Sequence, residues 1–186
     1  SIKYLKNKIY LDGKGNILIQ DNKDTLTYSI AKKNDILDFK TSLKINDNPF
    51  KIETLNYEKK NALIQLEGSK NKKNEIKIKD FFINEKENRI RAQNIKFNKN
   101  LEIVKLGTVS LKYTDQENQK NQIKFYPMKN KYILKGPSFN ANSLVDDLLF
   151  KDQNSNFFNI DTTIEVSIDK IFLDNEYDLF NFNGNI

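Results

Sequence analysis

The sequence predicts a mainly β fold: a curved antiparallel β-sheet, either an open groove or sandwich-like, with one short α-helix near 143-150. Three observations predict it. Apolar and polar residues alternate at period 2 along much of the chain. Clusters of Asn, Asp and Gly interrupt that alternation at short, fairly regular intervals. A single stretch late in the chain switches to helical spacing.

The strands come first because they dominate. Phe39, Thr41, Leu43 and Ile45 alternate with Lys40, Ser42 and Lys44. Ile76 and Ile78 alternate with Lys77 and Lys79, and Ile164, Val166 and Ile168 with Glu165, Ser167 and Asp169. Successive side chains of a strand point to opposite faces, so each run puts apolar groups on one face and charge on the other. Turns are expected at Asp12-Gly13-Lys14-Gly15, Asp21 to Asp24, Asn46 to Pro49, Asn84 to Asn88, Asn98-Lys99-Asn100 and Asp174 to Asp178, because Asn, Asp and Gly tolerate the left-handed backbone of hairpin turns. The outcome is a meander of roughly a dozen short strands, mostly antiparallel. IKIKDFFI (76–83) and VSIDKIFL (166–173) share one apolar pattern and each precedes a turn and a further strand. Repeated hairpin units near 76-97 and 166-186 are therefore expected.

The helical stretch follows a strand that begins at Lys131 and breaks at Gly136-Pro137. Ser143-Leu-Val-Asp146 has the Ser-x-x-acid form of a helix start, and Leu144, Val145, Leu148 and Leu149 fall on one stripe. Such a helix is only about 12 Å long, whereas a dozen strands span about 50 Å. It can cap or plug one end of the apolar face through Ser143, Leu144, Leu148 and Leu149, and no more.

Composition narrows function. The 186 residues carry a net charge of +6, almost wholly from lysine, since Arg89 and Arg91 are the only arginines. Few guanidinium groups weakens a nucleic-acid reading. The absence of Cys, His and Trp removes disulfides, Cys/His zinc sites, thiol catalysis and imidazole triads. No apolar run approaches the roughly 18 residues of a membrane span. The chain opens at Ser1 without Met and is read as a single β-rich segment, 1-186, cut from a longer protein.

Other motifs resolve into ordinary structure. Asp146 and Asp147 point about 100° apart on a helix and make no natural carboxylate pair. Asp12-Gly13-Lys14-Gly15 lacks the spacing and Ser/Thr of a phosphate loop. Lys70-Asn71-Lys72-Lys73 reads as a solvated loop that could also meet anionic head groups. No nucleophile-base constellation is present, so the chain is read as no enzyme, without cofactor or metal.

An apolar face this long needs a cover: a second layer of sheet, another segment of the parent protein, or an apolar ligand. Ile76, Ile78, Ile123, Phe125, Ile164, Val166 and Ile168 are the candidate lining residues, and each also fits closed-core packing.

Tyr132-Ile-Leu-Lys-Gly136-Pro-Ser-Phe139-Asn140-Ala-x-x-Leu144-x-x-x-Leu148-Leu149 resembles a motif of the AsmA-like family of Gram-negative envelope proteins, related to bridge-like, repeating β-groove lipid-transfer proteins. The closing run Ile164 to Leu173, then Leu179-x-Asn181-x-Asn-Gly184-x-Ile186, is similar to the paired strands that follow in that family, as is the order of strands in Ile76 to Leu111. The resemblance covers 75 to 186. It implies a periplasmic protein anchored to the inner membrane by a segment outside this chain. Its β-groove would carry phospholipid acyl chains between inner and outer membrane, with the rest of the parent chain and envelope proteins as partners. The alternative, from another class, is a structural or protein-interaction β-sandwich with a closed core and no lipid ligand.

Overall fold

The computed structural model describes residues 1–5, 8–19, 22–46, 48–143, 162–173 and 177–185. Fifteen strands are formed: β1 Ile2–Leu5, β2 Lys8–Ile19, β3 Asn22–Lys33, β4 Ile36–Lys44, β5 Phe50–Ile52, β6 Tyr57–Lys59, β7 Leu63–Lys70, β8 Ile76–Glu85, β9 Asn88–Phe97, β10 Ile103–Lys105, β11 Thr108–Thr114, β12 Lys120–Met128, β13 Lys131–Asn140, β14 Ile164–Phe172 and β15 Asp178–Asn185. Thirteen of them make one open sheet in the order β1-β2-β3-β4-β7-β8-β9-β11-β12-β13-β14-β15, with β10 beside β9. β5 and β6 form a separate two-stranded ribbon around a 3-10 turn, Glu53–Leu55.

The meander expected from the alternation is present, with one departure. β13 and β14 run parallel, Tyr132 opposite Ile164 and Leu134 opposite Val166. A parallel pair requires a crossover rather than a hairpin, and 141–163 separate the two strands in sequence. The expected helix falls there: Leu144, Leu148 and Leu149 lie outside the described residues. Asn142 and Ser143 take helical backbone, and both are half-buried.

Two local expectations are overturned. Asp12 to Gly15 are not a turn; they lie inside β2, opposite Ser29 to Leu26. The Tyr28 ring lies over Gly13, and a Cβ there would stand 2.6 Å from that ring unless the ring moved. The strand beginning at Lys131 does not break at Gly136-Pro137 but runs on to Asn140 through a bulge, between the pairs Gln122/Ser138 and Lys124/Lys135. A Cβ on Gly136 would sit 2.1 Å from the Gln122 carbonyl oxygen, so glycine admits the close approach and the extra residue absorbs Pro137, which has no N–H to give. A second bulge, between β7 and β8 at Glu67/Gly68, uses Gly68 in the same way.

One turn recurs three times. At Asn71, Asn98 and Asp115 a side-chain oxygen accepts the N–H two residues on (Lys73, Asn100, Glu117) and four residues on (Glu75, Glu102, Gln119). The residue before the last, Asn74, Leu101 or Asn118, has positive φ. These are Asx-type turns, which give the backbone a local substitute for ladder bonds. The cluster Lys70 to Lys73 is part of the first, and Lys72 faces Asp35 at 3.8 Å across the surface.

Candidate functional site

Register carries one apolar face across the whole sheet. Neighbours in register share a face, and Tyr28, Thr41, Leu66, Phe81, Ala92, Val109, Phe125, Leu134 and Val166 form one unbroken row over β3, β4, β7, β8, β9, β11, β12, β13 and β14. The adjoining row runs Leu26, Leu43, Ile64, Ile83, Ile90, Leu111 and Ile123. On the other side Ile2, Leu11, Ile30, Phe39, Gly68, Ile78 and Ile95 continue the face to the β1 edge. The bulge at Lys79 does not invert it, because Leu66 pairs with Phe81 and Gly68 with Ile78.

The face is covered unequally. From β8 onward it is a closed core: Ile83, Ile90, Leu111, Ile123, Val166 and Ile168 are buried with Tyr57, Ala62, Tyr113 and Phe139. Part of the cover is the chain itself, since Phe50, Ile52, Leu55 and Tyr57 of the β5–β6 ribbon pack onto this cluster. Tyr57 meets Tyr113 edge-to-face at 5.5 Å, and the Tyr113 hydroxyl donates to the Leu55 carbonyl at 3.0 Å. The ribbon is also tied down at its entrance. Buried Asp24 accepts from the Asn46 N–H at 2.9 Å and from Asn48 Nδ2 at 2.7 Å. Burial raises both phenols: Tyr57 is pushed up to about 12 by desolvation and then by the Glu85 carboxylate, and Tyr113 is raised by desolvation and then by Asp115. Among the described residues the Tyr57 hydroxyl has no hydrogen-bond partner.

Over β1 to β4 and β7 the same face stays open. Leu11, Leu26, Tyr28, Ile30, Phe39, Leu43 and Leu66 are all half-exposed, and Ile2 and Tyr4 at the edge are 76% exposed. None of these belongs to the buried cluster.

The seven candidate lining residues all lie on this face, in two environments. Ile123, Val166 and Ile168 are buried in the cluster, while Ile76, Ile78, Phe125 and Ile164 are half-buried. Phe125 is further covered by Tyr132, stacked on it at 4.7 Å. Among the helix residues, Ser143 stands at the border of the crossover. The open surface of β2 to β4 was not singled out from the sequence. The signal existed in Phe39, Thr41 and Leu43, but Gly13 and Gly15 disguised β2, the strand that extends the face.

The residues that carry the family resemblance have structural duties here. Gly136 permits the bulge, Phe139 is core, and Asn140 joins a buried polar node. In that node Asp115 accepts from Asn121 Nδ2 at 3.1 Å and Asn140 Nδ2 at 2.9 Å, and the Asn140 N–H donates to Asn121 Oδ1 at 2.7 Å. The network pins the β11–β12 turn to the end of β13.

Among the described residues no group of His, Cys, Asp and Glu could hold a metal ion, and no helix is long and apolar enough to cross a membrane. Comparison with known protein families, curated proteins and solved structures gave no match.

Proposed function

We propose that this chain is a segment of a lipid-shielding β-groove: acyl chains lie against the open apolar face of β1 to β4 and β7 while head groups remain in water. The observation that supports this is the row Leu26, Leu43, Ile64, Ile83, Ile90, Leu111 and Ile123, which passes without a polar step from a closed core into a half-exposed surface. Burying a methylene contributes about 0.8 kcal/mol, and a row of Leu, Ile, Phe and Tyr makes neighbouring lipid positions nearly equal in energy. Movement along it is passive and needs no catalytic group, so the chain is not an enzyme in this reading. Together with the AsmA-like resemblance of residues 75 to 186, the reading is phospholipid transport between inner and outer membrane, within the periplasm, by a membrane-anchored parent protein.

One observation favours the second reading, a structural or interaction β-domain without lipid. The β5–β6 ribbon already covers much of the face from β8 onward, and Ile123, Val166 and Ile168 have no room for a ligand.

The test is native mass spectrometry and lipid extraction of the chain purified from a Gram-negative host. Co-purifying phospholipid that is lost in Leu43→Asp and Leu66→Asp, with circular dichroism unchanged, is the expected result. A folded, lipid-free monomer would sink the groove and leave the closed β-domain.

A further inference from the structure

The polar face of the sheet is also divided in two. Over β4, β7, β8 and β9 its charges are matched. Lys40 faces Glu67 at 3.8 Å, Lys79 faces Asp38 at 3.9 Å and Glu67 at 3.7 Å, and Arg91 meets Asp80 at 2.7 Å. Over β11, β12 and the middle of β13 three lysines are not, although Lys131 at the start of β13 pairs with Glu165 on β14. Lys124 on β12 stands directly opposite Lys135 on β13, an arrangement of like charges that destabilises a sheet. Lys112 projects from β11 on the same face, one row away. Among the described residues none of these three lysines forms an ion pair. Instead Lys124 and Lys135 both lie over the Tyr126 ring, at 5.5 and 5.6 Å from its centroid.

These lysines rim a depression of about 520 Å³, with Ser110, Ser167 and the carboxylate of Asp169 on its walls. The bulge at Gly136-Pro137 interrupts the pairing of β13 with β12 along its wall. Its volume is within the range of small-ligand sites. Three lysines and two serines line a concavity that holds one carboxylate, and two of the lysines stand directly opposite each other across β12 and β13.

We propose that this depression binds a phosphoryl group, with Lys112, Lys124 and Lys135 as its charge partners and Ser110 and Ser167 as hydroxyl donors. It lies on the face opposite the apolar rows, so a lipid resting on Leu43 or Leu66 does not place its own head group there. The site is therefore independent of the proposed groove. The phosphoryl group can belong to a soluble phosphate ester or to the head group of a lipid in a membrane.

Two titrations of the whole chain at low salt separate these sources: calorimetry with glycerol 3-phosphate, and co-sedimentation with phosphatidylcholine vesicles with and without phosphatidic acid. Saturable binding to the soluble ester assigns the site to free phosphate esters. Binding only to vesicles containing phosphatidic acid assigns it to membrane head groups. In either case Lys124→Gln and Lys135→Gln weaken binding by about tenfold each, as expected for hydrogen bonds to a charged group, while Lys40→Gln on the matched part of the same face leaves it unchanged. No binding in either titration, or equal loss in Lys40→Gln, overturns the proposal. Circular dichroism of each variant shows that the fold survives, and lipid retention on the apolar face is read separately.

Discussion

Leu43, Ile64 and Ile83 are neighbours in one row of the apolar face, on β4, β7 and β8. Leu43 is half-exposed, while Ile83 is 0% exposed. Their side chains are similar and their face is the same. What differs is the chain lying above them: the β5–β6 ribbon with Tyr57 covers the row at Ile83 and does not reach across Leu43. Pairing register therefore decides which way a side chain points, and a non-local segment decides whether it is buried. The polar face repeats the lesson, with matched charges on one half and an unmatched lysine pair on the other.

The sharpest way to break this comparison is to truncate both ends of the row. Ile83→Ala removes a side chain from a closed core and is expected to cost about 3 kcal/mol, whereas Leu43→Ala costs about 1 kcal/mol because water already reaches it. Urea unfolding of the two variants measures the difference, and equal losses would show that the open half is packed as tightly as the closed one.

Asp115→Ala addresses what holds the closed half together. It leaves the N–H groups of Glu117 and Gln119 without their side-chain acceptor and takes one of two acceptors from the Asn121 and Asn140 amides, which keep the Gln119 carbonyl and the Glu117 carboxylate, and about 3 kcal/mol of destabilisation is expected. The corresponding change in the solvent-exposed turn, Asn98→Ala, costs about 1 kcal/mol. Gly136→Ala is expected to cost about 2 kcal/mol, between these two, since its Cβ needs β12 and β13 to move apart.

Alkaline titration probes the ribbon. The folded state holds the Tyr57 proton up to about 12, against an ordinary value of 10.0. The unfolded chain gives up that proton first, so the contribution is intact below pH 10 and is lost as pH rises from 10 towards 12. Tyr113, raised in the same direction, adds to the loss. Fluorescence-monitored unfolding at pH 9 and pH 11 measures the loss, and Tyr57→Phe reduces it. At pH 7 the same substitution is expected to stabilise by about 1 kcal/mol, because the buried hydroxyl it removes has no partner among the described residues.

Much of the sheet was legible. The alternations at Phe39 to Ile45, Ile76 to Lys79 and Ile164 to Asp169 fall on β4 and the residue after it, β8 and β14; the turn expected at Asn84 to Asn88 is narrower, Lys86 and Glu87 between β8 and β9, and Asn98 to Asn100 fall between strands. Both stretches read as hairpin units are antiparallel pairs, β8 with β9 and β14 with β15. Legibility failed where glycine did something other than turn the chain. Gly13 and Gly15 sit in a strand beside aromatic and aliphatic partners, and Gly136 with Pro137 makes a bulge instead of an end. The uncompensated lysines were invisible because Lys112, Lys124 and Lys135 come from three separate strands and become one cluster only in register.

The sequence by itself determined that this chain is β, which residues of its clearest strands share a face, and that the opposite face is charged, because side-chain period is a local property of extended backbone. It also excluded thiol and imidazole chemistry through the residues it lacks. Only the tertiary structure decided the parallel pairing of β13 with β14, the placement of residues 50–59 over one half of the apolar face, and the depression above the Gly136 bulge. Each depends on which distant segments come together, and period-2 alternation is the same whether a strand's apolar face is covered or open.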